Sequence, residues 1–316
     1  MSPLQRFLTD QGFVVLDGGL GTALEAAGHV LDPSLWSAGL VLEAPDAILE
    51  AHHAFLAAGA DCIESAGYQA SVPGFVARGL SHGEAVDAVR RSVALAREAV
   101  ESFWSEPANR AGRLQPIVAA SAGPYGAYLA DGSEYHGRYG VDAGVLERFH
   151  RERLEILSDA GADVIAIETI PSLAEAEIVA RALEALHGVR AWVSFTCRDG
   201  AHLRDGSDVA DAVRAMESVA ALAAVGVNCT APGFVDALVA RIAALTPLPL
   251  VVYPNSGEAW DAARAKWLGS PAGWDWVVRV PDWHRAGARL IGGCCRVGPD
   301  LIREIRAALE GTRRPR

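Results

Sequence analysis

Near the C-terminus the chain reads Ile291-Gly292-Gly293-Cys294-Cys295-Arg296, and Val225-Gly226-Val227-Asn228-Cys229-Thr230 upstream places a third cysteine at the abrupt end of an apolar run. Adjacent cysteines do not close an unstrained disulfide on each other, because one peptide link holds their Cα atoms about 3.8 Å apart, below the usual range for a bridge. Three thiolates converging from two strand ends would make an open zinc site, with the fourth tetrahedral position left to a water or a substrate. A structural zinc site ordinarily takes four protein ligands, often in a Cys-x-x-Cys hook, and that hook is missing here. A thiol entering the open position would be held as its thiolate, a good acceptor for an alkyl group at neutral pH. The glycines before Cys294 are expected to let the backbone leave the pleat so that both side chains turn to one point. A redox thiol pair or plain packing is the alternative. Cys62 and Cys197, each without a cysteine neighbour, read as inert buried thiols.

Other residues could serve a ligand beside such a centre. Asp17-Gly18-Gly19-Leu20-Gly21-Thr22 has the glycines of a phosphate-cradling loop, but neither the lysine of a P-loop nor a complete dinucleotide fingerprint. It reads as backbone brought close to a small ligand, with Asp17 facing a cation, or as a tight turn. Glu168 ends the run Val164-Ile165-Ala166-Ile167, so its carboxylate would suit an ammonium group; the alternative is a helix cap before Pro171. Trp260, Trp267, Trp274, Trp276 and Trp283 fall in one segment containing a loop of about twenty residues, a length typical of lids or interfaces. Their rings would attract a sulfonium or quaternary ammonium cation, or simply pack. His52 and His53 read as ordinary helix residues rather than ligands.

These residues need a scaffold that brings distant segments together. Short β-branched runs at 13–16, 62–65, 116–120, 164–168, 191–196, 224–228, 248–253 and 289–293 alternate with helical segments at 47–58, 83–104, 143–160, 173–186, 208–221, 233–244, 275–286 and 299–309. Near-continuous apolar strands suit a sheet covered on both faces. In 172–186, Leu173, Ala176, Ala180 and Leu183 share a face, which turns Glu175, Glu177 and Glu184 outward. Strict alternation over eight units predicts a (β/α)8 TIM barrel, a doubly wound open sheet being the alternative. In a barrel the sites lie at the C-terminal strand ends, where all of the suspicious residues fall.

The 316 residues are 51% apolar and 21% charged, a soluble globular composition, and the net charge of 28 − 39 = −11 argues against nucleic acid and an anionic membrane surface. No apolar stretch reaches the roughly 18 to 20 residues of a membrane span, and the first residues lack a signal core. Five cysteines, an odd number, fit reduced thiols. The expectation is a cytoplasmic protein acting on small molecules, a monomer or small homo-oligomer, with residues 1–316 forming one domain.

Leu16-Asp17-Gly18-Gly19, Ile167-Glu168-Thr169, Gly226-Val227-Asn228-Cys229 and Gly292-Gly293-Cys294-Cys295-Arg296 together resemble the homocysteine S-methyltransferases. These are zinc-dependent (β/α)8 enzymes that include betaine-dependent members. The resemblance implies that Cys229, Cys294 and Cys295 bind Zn2+ and that the homocysteine sulfur joins as fourth ligand, accepting a methyl group to give methionine. It implies recognition of the homocysteine amino-acid group by Glu168, with Asp17 and Gly18 lining the pocket; Gly19, Thr22, Asn228 and Asn255 of the same motifs are expected to line it too. Tyr253-Pro254-Asn255-Ser256-Gly257-Glu258 resembles the S-methylmethionine branch, with S-adenosylmethionine as a secondary donor. Betaine as donor, a selenohomocysteine or selenocysteine acceptor, and a non-catalytic zinc-binding or redox-sensing barrel stand as alternatives.

Overall fold

The apolar runs pair in the order in which they occur. The computed structural model describes residues 3–257, 259–261, 266–268 and 274–312. Its principal strands are β1 (Val14–Val15), β2 (Cys62–Glu64), β3 (Ile117–Ala122), β4 (Val164–Ile170), β5 (Ala191–Phe195), β6 (Leu222–Asn228), β7 (Leu250–Tyr253) and β8 (Ala288–Ile291). Each pairs in parallel with the next from β2 to β8, and β8 returns to β1 through Val14 opposite Leu290 and Val15 opposite Ile291. The remaining seam, between β1 and β2, is closed by a parallel bridge of Leu16 to Cys62, where Asp61 N donates to Val15 O at 2.7 Å and Asp17 N to Cys62 O at 3.1 Å. The sheet is a closed (β/α)8 barrel, not a doubly wound open sheet.

Period-two alternation divides every strand between two cores. Leu16, Cys62, Ala119, Ala166, Trp192, Ala224, Val251 and Leu290 fill the barrel interior, and Leu4 and Phe7 of the helix Pro3–Asp10 pack into the same core. Val15, Ile63, Val118, Ile165, Val193, Val225, Val252 and Ile291 face the surrounding helices. Truncating the fully buried Trp192 to alanine would cost about 3–5 kcal/mol, because the interior closes only partly over the space left.

The helices begin and end on local signals. Pro45 occupies the first turn of Pro45–Ala58, and Gly59, at φ +112°, closes it by donating from its amide to Leu56 O at 3.1 Å. Ser81 and Glu84 form a capping box on His82–Ser105. Three expectations change. The helix expected over 208–221 spans only Val209–Arg214, because the next residues close successive three-residue turns (Met216 N to Val213 O, Glu217 N to Arg214 O) and β6 starts at Leu222. Glu175 is not turned outward; it is fully buried, held by partners from neighbouring elements. The tryptophan-rich segment carries an antiparallel hairpin, Ala259–Asp261 with Lys266–Leu268, that sets Trp260 opposite Trp267. Trp276 and Trp283 stack at 5.5 Å, and Trp283 Nε1 donates to Asp236 Oδ1 at 2.6 Å, so these two rings pack. The side chains of Trp260, Trp267 and Trp274, and residue Glu258, lie outside the described residues.

Candidate active site

One step beyond the apolar interior, the inward register of the strands turns polar. Glu64 follows Cys62, Ser121 follows Ala119, Glu168 follows Ala166, Ser194 follows Trp192, Asn228 follows Gly226 and Tyr253 follows Val251. These side chains form one network at the C-terminal mouth. Ser121 Oγ donates to Glu168 Oε1 at 2.5 Å, and Asn228 Nδ2 lies 3.4 Å from Glu168 Oε2. Asn228 is fixed at both ends of its amide, donating to Thr169 Oγ1 at 2.7 Å and accepting from Thr169 N at 2.8 Å and Ser194 Oγ at 2.9 Å. The Ser194 and Tyr253 hydroxyls are 2.7 Å apart, and Trp192 Nε1 donates to Tyr253 at 3.2 Å.

Three carboxyls meet here. Asp17, almost fully buried, accepts the Glu64 amide at Oδ2 at 3.0 Å. The Glu64 and Glu168 carboxyls are neighbours, each bearing on the other's proton affinity. Burial pushes Glu168 up to about 7 and drives Asp17 and Glu64 well above the usual carboxylate range, with mutual repulsion adding to both.

Beside the carboxyls the three cysteines converge. Cys295 Sγ lies 3.9 Å from both Cys229 Sγ and Cys294 Sγ, and all three sulfurs fall within 4.8 Å of one another. Zinc bound tetrahedrally at about 2.3 Å would hold its sulfurs about 3.8 Å apart, so the spacing and the soft all-sulfur donor set fit that ion. Hydrogen bonds from Cys294 and Cys295 hold the Cys229 thiol well below its usual value, with Arg204 and Asn255 contributing, while the other two thiols rise correspondingly. Cys229 at φ +46°, Thr169 at φ +62° and Arg296 at φ +61° are left-handed, and each lies at or beside this mouth.

Gly292 and Gly293 act differently from the expectation. Neither has positive φ; they permit close approach. A Cβ on Gly292 would lie 2.7 Å from Asp17 O, and one on Gly293 only 2.0 Å from Val297 Cγ1. The turn that aims both cysteines is made instead by left-handed Arg296, with Val297 N donating to Cys294 O at 3.1 Å. Gly18 and Gly19 seat the first loop against that turn: their added Cβ atoms would meet Val297 O at 2.1 Å and Cys294 O at 2.6 Å. Thr22 Oγ1 donates to Gly19 O and accepts from Arg296 N at 3.1 Å, stapling the two loops. Asn255 side-chain Oδ1 is buried without a partner, while its amide side reaches the Cys229 sulfur. Cys62 and Cys197 are buried outside the three-thiol cluster. His52 is buried and pushed down to about 3 by burial, and His53 Nε2 pairs with Ser102 Oγ at 2.7 Å.

Sequence reasoning missed a further wall. The loop after β3 carries Glu134 and Tyr135, which with Tyr68 and Arg204 surround the thiols. Arg204 Cζ stands 5.7 Å from the Tyr135 ring centroid, and Glu134 Oε2 is buried without a partner. Burial raises Glu134 to about 7, Cys229 adding to the effect. Glu175 fixes this loop, accepting from Tyr125 N at 2.7 Å and Tyr139 OH at 2.5 Å, with His150 Nε2 at 2.8 Å. Glu64 was legible in principle, as the residue one inward step past Cys62; the loop residues carried no periodic signal.

Fold and geometry together define a TIM barrel with an open three-thiol centre and an acidic pocket at its C-terminal mouth. The family model for homocysteine S-methyltransferase matches residues 14–309, and the chain belongs to that family. It is 45% identical over 307 residues to "Homocysteine S-methyltransferase YbgG" of Bacillus subtilis, covering 97% of this chain and 98% of the relative. It is 47% identical to "Homocysteine S-methyltransferase 4" of Zea mays, covering 94% and 90%. The metallated form of the Escherichia coli homocysteine methyltransferase MmuM superposes with a TM-score of 0.86 at 43% identity, covering 96% of this chain and 99% of that one. Among the described residues no helix is long and apolar enough to cross a membrane.

Proposed function

We propose that this protein is a zinc-dependent enzyme that transfers a methyl group from S-methylmethionine, with S-adenosylmethionine as a secondary donor, to the thiol of homocysteine, giving methionine. The observation that carries this reading is the three-sulfur cluster beside buried carboxyls that lack a cationic partner in contact. Cys229, Cys294 and Cys295 would hold Zn2+, which supplies a thiolate from homocysteine at neutral pH. Glu168 and Asp17 receive the homocysteine ammonium group. Asn228 and Ser121 fix the Glu168 carboxylate, while Gly18, Gly19 and Thr22 shape the adjoining wall against the cysteine turn. Asn255 hydrogen-bonds Cys229 and so favours its thiolate.

Tyr68, Tyr135 and Glu134, within electrostatic reach of the thiols, suit the positive charge of a sulfonium donor through ring faces and a carboxyl acceptor. In the transfer, a sulfur lone pair of the acceptor forms the new S–CH3 bond while the donor S+–CH3 bond breaks. The leaving thioether departs neutral, so no general acid is required. The residues contribute alignment and charge, which together supply most of the acceleration in such displacements. The free cysteines fit a reducing, cytoplasmic setting.

The test is methionine formation by zinc-loaded protein given homocysteine with S-methylmethionine, S-adenosylmethionine or betaine, each with a chelator control. Chelator-sensitive turnover fastest with S-methylmethionine is expected. Faster turnover with betaine would overturn the donor assignment, and turnover indifferent to chelation would overturn the role given to zinc.

A further inference from the structure

The mouth holds two buried carboxyls and a half-buried third, and the reading above employs the buried two. Glu64 is the third. It ends β2 in the inward register directly above Cys62, its amide is bound by Asp17, and its carboxyl neighbours that of Glu168. Even so, Glu64 Oε1 is buried with no partner. A buried acceptor without a donor is costly, and a carboxyl packed against two others is costlier still. The cation whose field reaches Glu168 is Arg153, but it directs Nη1 to Gly123 O at 3.0 Å and Nη2 to Gly67 O at 2.5 Å and Tyr68 O at 2.8 Å. Among the described residues, the groups that hydrogen-bond the Asp17 and Glu168 carboxyls are the Glu64 amide, Ser121 and Asn228, all neutral. The pocket is thus short of positive charge and of one hydrogen-bond donor.

A primary ammonium supplies both. It carries a unit charge and three N–H donors spread tetrahedrally, which call for three acceptors. We propose that Glu64 is a specificity-determining residue that accepts the third N–H of the substrate α-ammonium group, so that Asp17, Glu64 and Glu168 form a three-carboxylate cradle selecting thiols that bear a primary amine. This inference rests on the assignment of Asp17 and Glu168 to the acceptor substrate. On binding, a proton held among these carboxyls in the free protein leaves to solvent, and the cation takes its place.

The decisive comparison is homocysteine against 4-mercaptobutyrate, the same thiol without its amino group, with wild type, Glu64→Gln and Glu168→Gln, all zinc-loaded. Glu64→Gln keeps the side-chain shape and removes the charge. It is expected to lower kcat/KM for homocysteine about 10- to 100-fold, the usual loss for a hydrogen bond to a charged group, chiefly through KM. Turnover of 4-mercaptobutyrate should be unchanged or slightly improved. Glu64→Ala should repeat the pattern, with bound zinc as in wild type. Equal or tighter homocysteine binding by Glu64→Gln, while Glu168→Gln is impaired, overturns the role of Glu64 and leaves the pocket assignment standing. Equal losses on both thiols would mark Glu64 as a structural residue and also overturn the proposal. If wild type does not prefer homocysteine and Glu168→Gln is silent, the pocket assignment fails and the cradle with it.

Discussion

The two ends of the barrel bury carboxylates on different terms. At the N-terminal end, Asp61 is paired with Arg306, accepts from Gln11 Nε2 at 2.6 Å and from Val15 N at 2.9 Å, and so ties helix, strand and seam together. Asp163 likewise takes Arg97 Nη2 at 2.7 Å and Val118 N at 2.8 Å. At the C-terminal mouth, Asp17, Glu64 and Glu168 meet hydroxyls, amides and each other. Burial raises the carboxyl of Asp61 too, but a guanidinium of the same chain offsets part of that cost. The contrast teaches that one end ties its carboxylates to guanidinium groups that hold the barrel shut, whereas the carboxyls of the other form no such ion pair among the described residues.

That contrast can be broken from either side. The largest effect is expected at the thiols: Cys295→Ser should remove the metal and lower turnover by about 10³-fold or more, measured as metal content and methionine formation on the same sample. Retained zinc-dependent activity would sink the ligand assignment. Next, Asp61→Ala should remove the buried carboxylate that joins Arg306, Gln11 and the Val15 amide and cost about 3 kcal/mol in urea unfolding, with KM for homocysteine unaltered.

Glu168→Gln should do the reverse, weakening homocysteine binding while stabilising the ligand-free fold at high pH. The carboxyl of Glu168 lies at about 7 in the folded protein against 4.5 for the free group, so the folded state holds the extra proton between those values. Its contribution is fully favourable below about pH 4.5 and is lost as pH rises through about 7. The melting-temperature advantage of Glu168→Gln should therefore be near zero at pH 4.5 and grow toward pH 8; a flat difference would count against a strained mouth. In wild type, KM for homocysteine should rise below pH 7 as the carboxylate is protonated. The smallest effect belongs to Arg97→Ala, about 1 kcal/mol or less, because that pair is partly solvated.

The barrel was legible because near-continuous apolar strand runs alternate strictly with helices that carry an apolar stripe. The convergence of Cys229, Cys294 and Cys295 was legible from abrupt strand ends. Glu175 was not, since its helical position faces away from the Leu173–Ala176 stripe and only the loop packed above it, through Tyr125, Tyr139 and His150, makes that face an interior. Glu134 and Tyr135 sit in a turn whose tightness depends on Gly126, where a Cβ would lie 2.3 Å from Glu134 N, a contact between residues with no shared period. The end of the helix Val209–Arg214 escaped notice because the residues after it, Ala215, Met216 and Glu217, are good helix formers that close tight turns with no local breaker.

The seam has a consequence for how the protein is made. β1 lies between β8 and the Leu16–Cys62 bridge, and Thr22 is joined to Arg296, so the earliest strand to leave the ribosome waits for the last. Until that moment the nascent chain is an open sheet with two exposed edges, and Cys229 faces no partner thiol. An ion requiring all three sulfurs is therefore taken up only once Cys294 and Cys295 have been made, and a chain cut short before Ala288 would lack both the closing strand and two of the three sulfurs.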